Sequence, residues 1–155
     1  MKYLSSIKNP EIKRLRLLTQ KSRERKKLDL FVIEGQRELE KALLGGYNIS
    51  SLFIEENHEL ELNELIGKIQ QSEQFLVSNN VFKQISIRSG SEKILAIAHS
   101  KKHDFSSLKL KSDALILVIE APEKPGNIGA LYRTAAAAQM DGVIIANPKT
   151  DYYNP

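Results

Sequence analysis

The chain has 155 residues, 41% of them hydrophobic, and a net charge of +4, enough for one or two small globular domains. It has no cysteine and three scattered histidines, His58, His99 and His103, which argues against a disulfide framework, a thiolate site or any other metal centre. No apolar run approaches a membrane span and the amino terminus lacks an apolar signal core, so a cytoplasmic protein with no membrane partner is expected. The charge is uneven: residues 1–28 hold ten Lys or Arg against two Glu, a local +8, which leaves −4 for the remainder. A basic arm on a mildly acidic body suggests a polyanion met at one end; the plainer reading is a solvated helix face.

In chain order, Asn9-Pro10-Glu11 predicts a helix start, with Asn9 as the N-cap, Pro10 in the first helical position and Glu11 in the first turn. Ile12, Leu15 and Leu18 form one apolar stripe, from which Lys13, Arg14 and Lys21 project. The run over residues 21–27 continues the positive charge, and such cations would hold phosphate without reading sequence. Residues 30–33 read as a strand, Glu34-Gly35-Gln36-Arg37 as a turn, and residues 38–44 as a helix closed by Gly45-Gly46 in a left-handed cap. Glu34 is read as structural, pairing with Arg37 or capping the helix. Residues 51–54 form the next strand. Residues 55–73 carry six Glu and one Lys, and Leu60, Leu62, Leu65, Ile66 and Ile69 mark them as an amphipathic helix that should face away from a polyanion. A strand at 74–78, a short helix capped by Asn79 or Asn80, a polar loop at 87–92 and a strand at 94–98 complete a small α/β sandwich. Residues 99–113 lack periodicity and read as an interdomain linker.

Residues 115–119 read as a buried parallel strand, apolar on both faces. A turn-rich segment at 120–126 follows, then a helix with Asn127 as its N-cap that ends near Met140, then a strand at 142–146. In such a crossover unit the loop lies at the carboxyl end of the first strand, where open α/β sheets place ligands. Asn127 and Arg133 are six apart and could face one crevice, where a helix amino end and an arginine would suit a phosphate. The bland alternative is a capping Asn and a solvated Arg. A Rossmann nucleotide site fits poorly, because the Gly-x-Gly-x-x-Gly spacing is absent and no acidic residue ends the second strand.

The run Pro125-Gly126-Asn127-Ile128-Gly129-Ala130-Leu131-Tyr132-Arg133-Thr134-Ala135, set between two apolar strands, resembles the first signature motif of the SpoU class of RNA 2′-O-ribose methyltransferases in the SPOUT superfamily. The resemblance departs at Glu120-Ala121-Pro122-Glu123-Lys124, where many members have Asp-Pro before the Asn, and at Ala138-Gln139-Met140, where many have Phe-Gly. It implies an L30e-like RNA-binding α/β sandwich over residues 1–98, a linker over 99–113, and the first part of an α/β-knot methyltransferase domain over 114–155. It further implies Asn127 and Arg133 at the catalytic centre, with the arginine helping to activate the ribose 2′-hydroxyl. Asn9, Lys13, Arg14, Arg37 and Arg88 are the implied RNA contacts, Asn9, Lys13 and Arg14 from a Ser-x-x-Asn-Pro-x-Ile-Lys segment and Arg37 from Phe-x-x-Glu-Gly-x-Arg. The implied cofactor is S-adenosylmethionine, with its pocket expected beyond residue 155; the implied partners are RNA, ribosomal rather than transfer RNA, and a second copy of the full-length protein. The chain is thus expected to be a fragment that binds RNA but lacks the cofactor-binding knot. The competing reading is a non-catalytic RNA-binding module.

Overall fold

The computed structural model describes residues 1–69, 72–88 and 92–155. The chain forms two compact units, Met1–Lys101 and Lys102–Asn154.

The first unit is a five-stranded sheet covered on both faces. The strands are β1 (Lys2–Leu4), β2 (Leu30–Glu34), β3 (Ile49–Glu55), β4 (Glu73–Val77) and β5 (Ile94–His99), in the order β1-β4-β3-β5-β2. The β1, β4 and β3 strands run parallel, while β5 is antiparallel to both β3 and β2. The helices are α1 (Pro10–Gln20), α2 (Ser22–Leu28), α3 (Gln36–Leu44), α4 (Asn63–Gly67) and α5 (Asn79–Ile85). Alternation along the strands sorts the core in two. Leu30, Val32, Phe53, Phe75, Leu95 and Ile97 pack with Ile12, Leu15 and Leu18 of α1 and with α5. Ile33, Leu52, Ile54, Ile94, Ala96 and Ala98 pack with Leu39 of α3 and with Leu65 and Ile66 of α4. A register shift between Ile49 and Ser51 lets Ile49 join the second layer, although it has the parity of the first.

The first helix begins as its sequence predicts. Asn9 Oδ1 accepts the Glu11 N–H at 2.9 Å, and Pro10 opens the helix. The second apolar layer is less regular than residues 55–73 suggest. Glu55 still belongs to β3, Asn57 turns the chain with φ 70°, and α4 covers only Asn63–Gly67. Leu62, Leu65, Ile66 and Ile69 are buried at helical spacing, but Leu60 is 91% exposed. The apolar stripe is therefore real and the long helix is not, because a left-handed turn uses up its first residues. The expected helix also ran through residues 70–71, which lie outside the described residues.

The α5 helix is not capped by Asn79 or Asn80 either. Ser78 is the cap residue, and the Asn79 N–H goes to Glu56 Oε1 at 2.8 Å. The α3 helix closes with the Tyr47 N–H on Ala42 O and the Gly46 N–H on Leu43 O, with Gly46 at φ 69°. Beyond β5, the Ser100 N–H donates to Asp29 O, and Lys101 Nζ donates to Gly45 O while standing 4.7 Å over the Tyr47 ring.

The second unit contains β6 (Ile116–Glu120), α6 (Pro125–Ala137) and β7 (Gly142–Ala146), preceded by a 3-10 turn at Phe105–Ser107 capped by Asp104. The β6 and β7 strands pair in parallel, Ile116 opposite Gly142 through Glu120 opposite Ala146. Parallel pairing is as expected; burial on both faces is not. Val118 is 60% exposed while Ile119, on the opposite face, is buried, because two strands and one helix cover only one side. Ile119, Ile128 and Ala135 carry the packing between α6 and the sheet.

Candidate functional site

The α6 helix begins three residues earlier than its sequence suggests. Lys124 is the cap residue and its side chain makes no capping bond; Pro125 takes the first helical position, which suits its fixed φ and missing N–H. Asn127 is therefore the third helical residue, not the N-cap. Its N–H donates to Lys124 O at 3.1 Å, and its side chain is exposed.

Arg133 lies two turns along α6 and is exposed. Its Nη1 reaches back toward the amino end, 3.6 Å from where a Cβ on Gly129 would stand. At 3.6 residues per turn, Gly126, Gly129 and Arg133 fall within roughly 60° of one another, with Asn127 about 120° from Arg133. The guanidinium thus lies beside Gly129, on the side of the helix that Gly126 also leaves open, and Asn127 stands to one side of it. Neither side chain has a hydrogen-bonding or ionic partner among the described residues.

The carboxyl ends of the two parallel strands meet near this helix start. The Ala121 N–H donates to Ala146 O at 2.9 Å, Asn147 Nδ2 donates to Glu120 Oε1 at 3.0 Å, and the Lys149 N–H donates to Pro122 O at 3.1 Å. Ala121 and Asn147 both adopt left-handed backbone, at φ 44° and 46°. For the alanine this costs on the order of 1 kcal/mol, and such strain tends to gather at functional sites.

One feature of this unit escaped the sequence reading. Tyr152 and Tyr153 have ring centroids 5.2 Å apart, and His103 Nε2 lies 3.1 Å from the Tyr153 hydroxyl. Burial, with smaller contributions from Tyr152 and Tyr153, pushes the Tyr132 hydroxyl above its ordinary value. No spacing in the sequence announces these contacts, because Tyr132 and His103 lie far from Tyr153 along the chain.

In the first unit the candidate residues fall into two groups. Asn9, Lys13 and Arg14 belong to α1; the Asn9 side chain is committed to its cap, Arg14 lies 3.6 Å from Glu11, and Lys13 is exposed. Arg37 and Arg88 both lie near Glu38 at the start of α3, on the other face of the sheet. Arg88 Nη1 lies 2.8 Å from Glu38 Oε1, an ion pair that holds the Glu38 carboxyl below its usual value and raises Arg88. Arg37 is exposed on the same turn of helix.

Glu34 does not pair with Arg37. It is 5% exposed, and its carboxylate receives Ser86 Oγ at 2.7 Å, the Ile87 N–H at 2.8 Å and the Arg88 N–H at 2.8 Å. The structural reading of Glu34 stands, with a different partner: it fixes the backbone that carries Arg88. The rest of that polar loop, residues 89–91, lies outside the described residues.

Residues 9–96 match the model of the MRM3-like substrate binding domain, and residues 114–155 match that of the SpoU rRNA Methylase family. The chain is 29% identical over 154 residues to the 23S rRNA (guanosine(2553)-2'-O)-methyltransferase RlmP of Bacillus subtilis (strain 168), covering 99% of this chain and 58% of that protein. Among solved structures, an rRNA methyltransferase from Sinorhizobium meliloti superposes with a TM-score of 0.87 at 24% identity, over 99% of this chain and 57% of that one. An RNA 2'-O ribose methyltransferase superposes with a TM-score of 0.77 at 34% identity, over 99% of this chain and 58% of the other. The chain therefore spans just over half the length of these relatives. The chain therefore belongs to the family of the MRM3-like substrate binding domain, and the segment that follows that domain is similar to the SpoU rRNA Methylase family.

Proposed function

We propose that the protein carrying this chain methylates a ribose 2′-oxygen of RNA, with ribosomal RNA as the substrate. The observation that carries this reading is the exposed Arg133 guanidinium, lying beside Gly129 near the amino end of α6, within the segment that matches the SpoU family. An arginine stays protonated at neutral pH, so Arg133 is not itself the base. It acts by donating hydrogen bonds to the 2′-oxygen as negative charge develops there, and by holding a neighbouring RNA phosphate whose oxygen accepts the departing proton. Asn127, to one side of the guanidinium, orients the ribose. Asn9, Lys13, Arg14, Arg37 and Arg88 contact the RNA from the first unit.

S-adenosylmethionine is the methyl donor the family implies. The residues present do not fit it: only Ile119, Pro122, Ile128 and Ala135 are buried among the described residues of the second unit, and the polar backbone at the strand ends is bonded within itself. Its pocket therefore belongs to residues outside these. The open face of the β6–β7 sheet, with Val118 exposed, supports a homodimer or a further layer of chain. Among the described residues no helix is long and apolar enough to cross a membrane, and we place the protein with its RNA in the cytoplasm.

The test is the position of the transferred methyl group. RNA treated with the protein and methyl-labelled donor should give 2′-O-methyl nucleosides after nuclease digestion. Label on a base would rule the reading out; no label at all would favour a non-catalytic RNA-binding module.

A further inference from the structure

The junction between α1 and α2 has a construction that the proposed chemistry does not use. Lys21 ends the first helix and starts the second: its N–H bonds to Leu17 O, and its own carbonyl accepts from Glu24 and Arg25. Arg25, 4% exposed, turns inward rather than out to solvent. Its Nη1 donates to Leu18 O at 2.6 Å and Thr19 O at 3.1 Å, closing the carboxyl end of α1 and fixing the elbow between the helices.

With Ile12, Leu15 and Leu18 buried on one side and Arg25 on the other, the remaining cations are forced outward. Lys13, Arg16, Lys21, Arg23, Lys26 and Lys27 are all exposed, and none has a counter-ion among the described residues. Neighbouring cations at i,i+3 and i,i+4, such as Arg23 with Lys26 and Lys27, repel and weaken a helix by a few tenths of a kcal/mol per pair. The helix dipole offsets this for Lys26 and Lys27 in the last turn of α2. It does not for Arg23, in the first turn, where a cation is disfavoured.

We propose that the α1–α2 elbow is a phosphate-tracking surface, on which an RNA backbone lies across these cations without its bases being read, and that Arg25 is the positioning residue that builds it. This rests on the RNA-methyltransferase reading and extends it from α1 to Arg16, Lys21, Arg23, Lys26 and Lys27. It also makes the first layer, rather than the Arg37–Arg88 side with its paired Glu38, the main source of affinity. An RNA backbone fits better than a membrane surface, because among the described residues no large apolar side chain beyond Leu17 and Leu28 is exposed on these two helices.

The test is the salt dependence of binding to an RNA hairpin, measured on the 155-residue chain. The double variant Arg23→Gln/Lys27→Gln should lower the slope of log K against log salt by about two and weaken low-salt binding at least tenfold. The control Lys41→Gln/Lys68→Gln removes the same charge from α3 and the stretch after α4, and should leave the slope unchanged. Arg25→Ala should weaken binding although its own cation is buried, and Arg25→Lys should not restore it, since the shorter lysine stem leaves its ammonium short of the position of Nη1. An unchanged slope in the elbow variant, or an equal drop in the control, overturns the surface while leaving the methyltransferase reading standing. Failure of the unmodified chain to bind RNA likewise overturns the surface, while the methyltransferase reading of the protein that carries the chain falls only to the methyl-transfer assay. Tighter binding to vesicles rich in phosphatidylserine than to RNA at equal phosphate would overturn the assignment to RNA.

Discussion

Glu34 shows how a single carboxylate can place a remote residue. It is buried, and three donors from residues 86–88 converge on its two oxygens. Glu34→Ala leaves two part-buried amide groups without their acceptor, which should cost about 1–3 kcal/mol in chemical denaturation. It should also loosen Arg88 from Glu38. A loss below about 0.5 kcal/mol would mean that water replaces the carboxylate. Glu56 gives a prediction in pH. Its carboxyl is held below the ordinary value of 4.5, first by the Asn79 N–H and then by the Tyr3 hydroxyl. A lowered folded pKa contributes stability that is complete above the unfolded value and is lost as pH falls through the folded one. Melting followed from pH 6 down to about pH 2 should therefore show a shallower acid limb in Glu56→Gln than in the unmodified chain. Parallel limbs would show that the contact does not form in solution.

At the level of elements, the α6 helix sets conformational cost against access. Two glycines near its start weaken it by roughly 1 kcal/mol each relative to alanine, yet a Cβ on Gly129 would meet nothing closer than Arg133 Nη1 at 3.6 Å. Gly129→Ala is therefore expected to raise stability by about 0.5–1 kcal/mol while slowing methyl transfer on the order of tenfold, because the added methyl occupies the open side where a ribose would approach. Equal or faster transfer in the more stable variant would remove any role for the bare glycine. The same elements show what could be read from the sequence. Asn9-Pro10-Glu11 and Gly45-Gly46 carry their capping chemistry locally, and both helix ends stand where that chemistry puts them. Asn127 did not, because Pro125 opens the helix without a capping side chain and leaves the Asn inside the first turn. The acidic stretch does not form the expected long helix because Asn57 enters left-handed backbone, which apolar periodicity does not report. The three residues of β1 escaped because pairing with β4 defines them, not any pattern in Lys-Tyr-Leu. The Glu34 clamp and the Tyr153–His103 contact join residues about fifty positions apart, and no local rule reaches that far.

For the molecule as a whole, the account divides labour between two units. The first is well packed, with both sheet faces covered, and carries the concentrated positive charge of residues 1–28. The second has a small core and an open sheet face, and presents Arg133 and Asn127 on one helix. Binding and chemistry should therefore separate on mutation. The most direct measurement is the effect of Arg133→Ala, in the protein that carries this chain, on methyl transfer to ribosomal RNA and on affinity for the same RNA. The account predicts that transfer falls at least about 100-fold, as expected when a group that stabilises developing charge is removed, while affinity stays within about threefold. Undiminished transfer, or transfer and affinity lost in equal proportion, would contradict it.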